Sequence, residues 1–221
     1  MGNGDTAGKI VRIAVISNTN ELKSAINESA GTVNVPANIF IKQNGFNVDT
    51  KINIPSDKYV KITGGTLTRD NNLKSVPLFN VQGGLTLENI TLDGNKENAS
   101  GDGLVEVDGG KLTLNTGAAL QNNKNLSNGG AVRVCGGGSV TMNDGEITGN
   151  EALAGGGVFA FAYFNDAEGG TFTMNGGEIS GNTADAGSGV YIAEKGAFNL
   201  HSGATISGNA APESVSQGGW D

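Results

Sequence analysis

The sequence predicts an all-β protein, a right-handed parallel β-helix built as a single-stranded solenoid with three strands per coil, and three observations carry that expectation. The first is composition: 37 glycines, 4 prolines and 16% charged residues, with the large apolar side chains in short runs of Val, Ile, Leu and Phe. Such a mix suits many short strands joined by tight turns, and it lacks the 3.6-residue spacing of long amphipathic helices. The second is an internal repeat. Gly84–Glu88, Lys111–Asn115, Ser139–Asn143, Thr171–Asn175 and Ala197–His201 align, and each precedes a second short strand centred on Leu92, Leu120, Ile147, Ile179 or Ile206. Three residues beyond each centre stands Asn95, Asn123, Asn150, Asn182 or Asn209, at spacings of 28, 27, 32 and 27 residues. The third is a further strand ahead of the later units: Val105–Val107, Val132–Val134, Val158–Ala160 and Val190–Ile192.

Each of these strands alternates apolar and polar residues, which gives a coil an inside and an outside. One coil cannot bury its own apolar face. Stacking coils at about 4.8 Å makes a continuous core and pairs the strand backbones along the axis. Leu114, Met142, Met174 and Leu200 are expected in one buried column, and Leu120, Ile147, Ile179 and Ile206 in another. The recurring Asn residues are expected to form a structural ladder of stacked amides at one corner.

The N-terminal part is less regular. Residues 1–8 read as a flexible N-terminus outside the fold, a cloning remnant; Met1–Thr6 fits a myristoylation pattern but has no polybasic segment behind it. Residues 9–221 read as one domain, with a cap and irregular coils over 9–80 and regular coils over 81–221. Val11–Ile16 reads as a strand. Asn18–Glu28 reads as a short amphipathic helix, with Asn18 and Glu21 as its capping box, Leu22, Ala25 and Ile26 as its apolar stripe and Gly31 as its stop. Further strands are expected at Thr32–Val35, Ile39–Ile41, Lys51–Ile54 and Tyr59–Ile62. A solenoid needs its first coil covered, and the helix is placed to do so.

Asn20–Ile26, Thr32–Val35 and Lys61–Gly65 together resemble the opening of the pectate-lyase-like β-helix superfamily. The units Met142–Asn150 and Met174–Asn182 resemble repeats of bacterial cell-surface and adhesin-like proteins. The first resemblance implies a fold that hosts lyases, hydrolases and adhesins alike; the second implies a non-catalytic structural or adhesive module, extracellular or on the cell surface. A polysaccharide lyase or glycoside hydrolase is the alternative. The hydrolase-type Asn-Thr-Asp, Asp-Asp and Gly-His-Gly motifs are absent from the sequence, and the only histidine, His201, is expected on the surface. Gly218–Gly219 matches Gly129–Gly130 at the start of a coil, which reads as a fragment of a longer repeat protein.

Net charge is −8, so no basic stripe is available for nucleic acid, and no apolar run reaches membrane-spanning length. There is no secretory leader in the sequence, and Cys135, the one cysteine, cannot form an internal disulfide. No cofactor is expected, and the chain is expected to be monomeric. Arg133 lies above Glu106 as a cross-coil ion pair. Asp144, Glu146 and Glu178 form a weak candidate calcium site, because Glu146 and Glu178 share a column in which like charges are either hydrated on the surface, the plainer reading, or bridged by a cation.

The 32-residue coil is the exception to the repeat. Four of the chain's twelve aromatic residues, Phe159, Phe161, Tyr163 and Phe164, lie within six positions of it. Alternation points Phe159, Phe161 and Tyr163 outward, with Tyr191 in the next coil at the position of Phe159. With Asn165 and Asp166 these are the candidate contact residues for a glycan or for a host or bacterial surface protein; the equal alternative is that the insertion folds over and buries its own rings.

Overall fold

The computed structural model describes residues 11–27, 37–43, 46–164 and 167–212. The chain is a parallel β-solenoid of about 6 turns with one short helix near its N-terminus. Every strand pairing among the described residues is parallel, and the strands fall on three faces. The first face holds Val11–Ile16, Ala37–Gln43, Lys58–Thr63, Gly84–Glu88, Lys111–Leu114 and Ser139–Met142. The second holds Phe46–Val48, Thr66–Arg69, Ile90–Asp93, Ala118–Gln121 and Glu146–Thr148. Thr171–Ser180 and Ala197–Ser207 run without a break from the first face onto the second, which joins the two into one continuous sheet. The third face holds Ile52–Ile54, Phe79–Val81, Val105–Asp108, Val132–Cys135, Val158–Ala160 and Val190–Ile192. A short extra pair, Glu151–Ala154 on Thr183–Ala186, builds the corner between the second and third faces.

The core follows from the alternation. Leu87, Leu114, Met142 and Met174 stack in register and are fully buried, as are Leu92, Leu120, Ile147 and Ile179. Phe79, Val105, Val132 and Val158 fill the third side. Phe172 and Phe198 stack with ring centroids 5.1 Å apart. The last members of the two predicted columns depart from expectation: Leu200 is 55% exposed and Ile206 38%, because no described coil lies over them.

The helix spans Thr19–Asn27 and buries Thr19, Leu22 and Ile26. Its start is capped reciprocally: the Glu21 N–H donates to Asn18 Oδ1 at 3.0 Å, and the Glu21 carboxylate accepts from the Ser17 N–H at 2.9 Å. Gly31 and the strand expected at Thr32–Val35 lie outside the described residues.

Candidate functional site

Along the outside of the third face, Asn53, Asn80, Glu106, Arg133, Phe159 and Tyr191 follow one another in register. The column therefore passes from amide to charge to aromatic ring. Arg133 Nε donates to Glu106 Oε1 at 3.1 Å, and Arg133 Nη2 lies 3.7 Å from Asp102 Oδ2. These three side chains keep only 17–19% of their exposure, so the guanidinium is matched and largely withdrawn from solvent.

The elongated coil folds back over this column. Beyond Ala160 the chain leaves the strand, and its rings pack in series. Tyr191 stacks on Phe159 with centroids 5.6 Å apart and planes 7° apart; Phe161 tilts against Phe159 at 5.1 Å; Tyr163 meets Phe161 edge-on at 4.8 Å. These are the offset and edge-to-face arrangements that the ring quadrupole favours. Tyr163 reaches back to Glu106, two coils before Phe159, and its hydroxyl donates to Oε1 at 3.5 Å. Burial pushes the Tyr163 phenol up to about 12, against the pull of Arg133, so the group stays a proton donor at neutral pH.

This arrangement corrects one expectation. Phe159 does point outward by register, yet it is only 7% exposed, because Tyr191 and Phe161 cover it from two sides. Phe161 is half-buried. The solvent-facing rings are Tyr191 at 36%, Tyr163 at 47% and Phe164 at 97% exposure. Asn165 and Asp166 lie outside the described residues.

The acidic residues sit elsewhere, on the second face. Glu146 and Glu178 are register partners and line a shallow groove with Asp144, Gly145 and Gly177. The backbone N–H of Gly145 and the hydroxyl of Thr116 hold the Asp144 carboxyl below its ordinary range, so local donors already serve it. Among the described residues, no group of three or more His, Cys, Asp or Glu side chains is arranged to hold a metal ion.

The corner between the second and third faces holds a buried amide ladder. The Asn150 amide donates to Asn182 Oδ1 at 3.0 Å and the Asn182 amide to Asn209 Oδ1 at 2.9 Å; the backbone N–H of Asn123 donates to Asn150 Oδ1 at 3.1 Å. Asn95 lies outside it. The left-handed corner position is occupied by Asn95 (φ 54°), Asn122 (52°), Gly149 (66°), Gly181 (62°) and Gly208 (61°), so Asn95 is the counterpart of Asn122. Gly94 is the extra residue that shifts the count. The side-chain amide of Asn95 instead donates to the carbonyl of Arg69 at 3.1 Å and to Asn71 Oδ1 at 2.8 Å.

In place of Asn95, Arg69 closes the ladder. Fully buried, it donates through Nε to Asn123 Oδ1 at 3.3 Å and through its terminal nitrogens to the carbonyls of Leu73, Val76, Asp102 and Gly103. Burial pulls the guanidinium down to about 10 while Asp102 opposes the shift, and the group remains charged at neutral pH. A Cβ at Gly94 would come within 2.4 Å of the Asn123 side chain, so glycine is required beneath this junction. Arg69 was legible as an inward position by alternation from Leu67; Asp102, on a corner, carried no such signal.

No family model matches this chain, and no curated protein or solved structure matches it either. The resemblances to pectate-lyase-like proteins and to adhesin repeats rest on the quoted motifs alone.

Proposed function

We propose that this chain is a non-catalytic, structural and adhesive module of a bacterial surface or secreted protein, and that it meets a glycan or a surface protein through Tyr163, Phe164 and Tyr191. The observation that carries the reading is the ring series on the third face. An otherwise uniform scaffold changes at one coil, and the change brings four aromatic rings into series contact with two tyrosines facing solvent. Variation on a regular solenoid collects on its binding face. Tyr rings suit this task, since the ring packs on the C–H faces of a sugar while the hydroxyl hydrogen-bonds. Phe159 and Phe161 serve as the support that fixes the two tyrosines. Arg133, next to them, is already paired with Glu106 and Asp102, which disfavours a polyanion and favours neutral glycans.

Glycan-array binding by the wild type and by a Tyr163→Ala, Tyr191→Ala double variant tests the reading. Binding by the wild type and at least a tenfold loss in the variant are expected. Equal binding by both removes the patch. Incubation with acidic and neutral polysaccharides, with and without calcium, tests the enzymatic alternative: release of shortened chains would replace adhesion with lyase or hydrolase chemistry.

A further inference from the structure

We infer that Glu106 is the positioning residue of the aromatic site: it holds the Tyr163 ring across the coil that lies between them, and the held ring seals Cys135. The inference rests on the reading of the third face as a binding surface, and it assigns that surface a residue outside the elongated coil. Glu106 and Tyr163 stand 57 residues apart in the chain.

Register places the parts. Glu106 pairs with Arg133 and Arg133 with Phe159, so the coil of Arg133 lies between Glu106 and the ring series. Tyr163 touches both sides of that gap. Its ring meets Phe161 edge-on with centroids 4.8 Å apart, and its hydroxyl donates to Glu106 Oε1 at 3.5 Å. The ring therefore spans the middle coil. Glu106 is a fixed acceptor, because Arg133 donates to the same Oε1 through Nε at 3.1 Å and through Nη2, while Asp102 Oδ2 lies 3.7 Å from Nη2. A pinned, charged acceptor sets the place of a hydroxyl as a mobile surface carboxylate does not.

Cys135 is an independent sign that the middle coil is covered. Strand faces alternate with period two, so Cys135 points outward as Arg133 does. Its register partner Asp108 is half-buried, yet Cys135 is fully buried. Phe161 follows Ala160, the partner of Val134, and its N–H donates to the Val134 carbonyl at 3.0 Å, which sets it beside Cys135. Burial first and then Cys135, against the pull of Arg133, push the Tyr163 phenol up to about 12, which places the thiol near that ring as well. The returning arm is pressed on the same coil: a Cβ at Gly170 would lie 2.2 Å from the Val134 carbonyl oxygen.

Labelling of Cys135, the only cysteine, by a water-soluble aromatic disulfide reads the place of the ring without any ligand. In the absence of denaturant, Glu106→Ala and Tyr163→Phe are each expected to label about tenfold faster than wild type, the factor that one lost bond to a charged acceptor carries. The double variant is expected to label no faster than either, since both changes remove one contact. Glu106→Gln keeps an acceptor oxygen and is expected to label near the wild-type rate. Asn150→Ala, which weakens the corner between the second and third faces, is expected to label as wild type does, so lost stability alone does not imitate the effect. On the glycan array Glu106→Ala is expected to bind about tenfold more weakly, and Glu106→Gln to retain binding. Wild-type labelling by Glu106→Ala, or effects that add in the double variant, would overturn the proposal. Fast labelling with undiminished binding would overturn it too, since the place of the ring would then not matter to the site. The two readings fail separately: a wild type that binds no glycan removes the binding surface, while the labelling rates still decide whether Glu106 holds Tyr163.

Discussion

Two asparagine ladders run along this solenoid, and they differ only in what surrounds them. In the corner ladder the Asn150 side chain makes a closed set of bonds: Oδ1 accepts from the Asn123 N–H, and Nδ2 reaches the carbonyls of Leu120 and Thr148 as well as Asn182 Oδ1. On the first face a second ladder stands in solvent, with Asn175 donating to Asn143 Oδ1 at 2.9 Å and Asn143 to Asn115 Oδ1 at 3.0 Å. Asn115 then reaches Glu88, which accepts from Lys61 Nζ at 2.7 Å. Both ladders repeat an amide at each coil and both end on a charged side chain. Yet only the corner one is buried, with Asn123, Asn150 and Asn182 fully enclosed. The lesson is that the cost of leaving a bond unmade, rather than the bond itself, sets the worth of a ladder.

That contrast can be broken at its ends first. Arg69→Met removes the donors from four carbonyls and one amide oxygen in the dry corner, and a loss of about 3 kcal/mol or more is expected in urea unfolding. A loss under about 1 kcal/mol would mean that water enters the corner. The neighbouring core sets a scale for comparison: Ile147→Ala, at a fully buried position, is expected to cost about 2–5 kcal/mol.

Within the ladders the same substitution distinguishes the two environments. Asn150→Ala is expected to cost about 1–3 kcal/mol, since it orphans buried carbonyls and the Asn123 N–H. Asn143→Ala, on the exposed ladder, is expected to stay within about 0.5 kcal/mol of wild type. Equal losses at the two sites would show that stacking, not burial, governs both.

The smallest effect is a pH dependence confined to the surface ladder. The bond from Lys61 holds the Glu88 carboxyl below its ordinary range, with Asn115 adding to it. A carboxylate depressed in the fold contributes stability above its unfolded value and loses it as pH falls through the folded value. Lys61→Met is therefore expected to move the Glu88 titration upward, read by carboxyl carbon NMR. An unmoved titration would place the cause elsewhere.

Several features of this protein are properties of its sequence. A period near 27 residues, with alternation inside each unit, leaves one way to bury Leu120, Ile147 and Ile179 together, and that is to stack parallel coils. The helix is equally local, since Asn18, Glu21, Leu22 and Ile26 specify its start and its buried stripe. Other features needed the tertiary structure. Counting three residues beyond Leu92 reaches Asn95, but Gly94 adds one residue to that corner and turns Asn95 outward. Alternation sends Phe159 outward without revealing that Phe161 and Tyr191 cover it. Arg69 reads as an error at an inward position until the carbonyls of Leu73, Val76, Asp102 and Gly103 converge on it. Periodicity is a local property, and the chain carries it openly. Which neighbours cover a ring or satisfy a buried charge depends on segments far apart in the chain, 54 residues for Arg69 and Asn123 and 57 for Tyr163 and Glu106, and only packing brings those together.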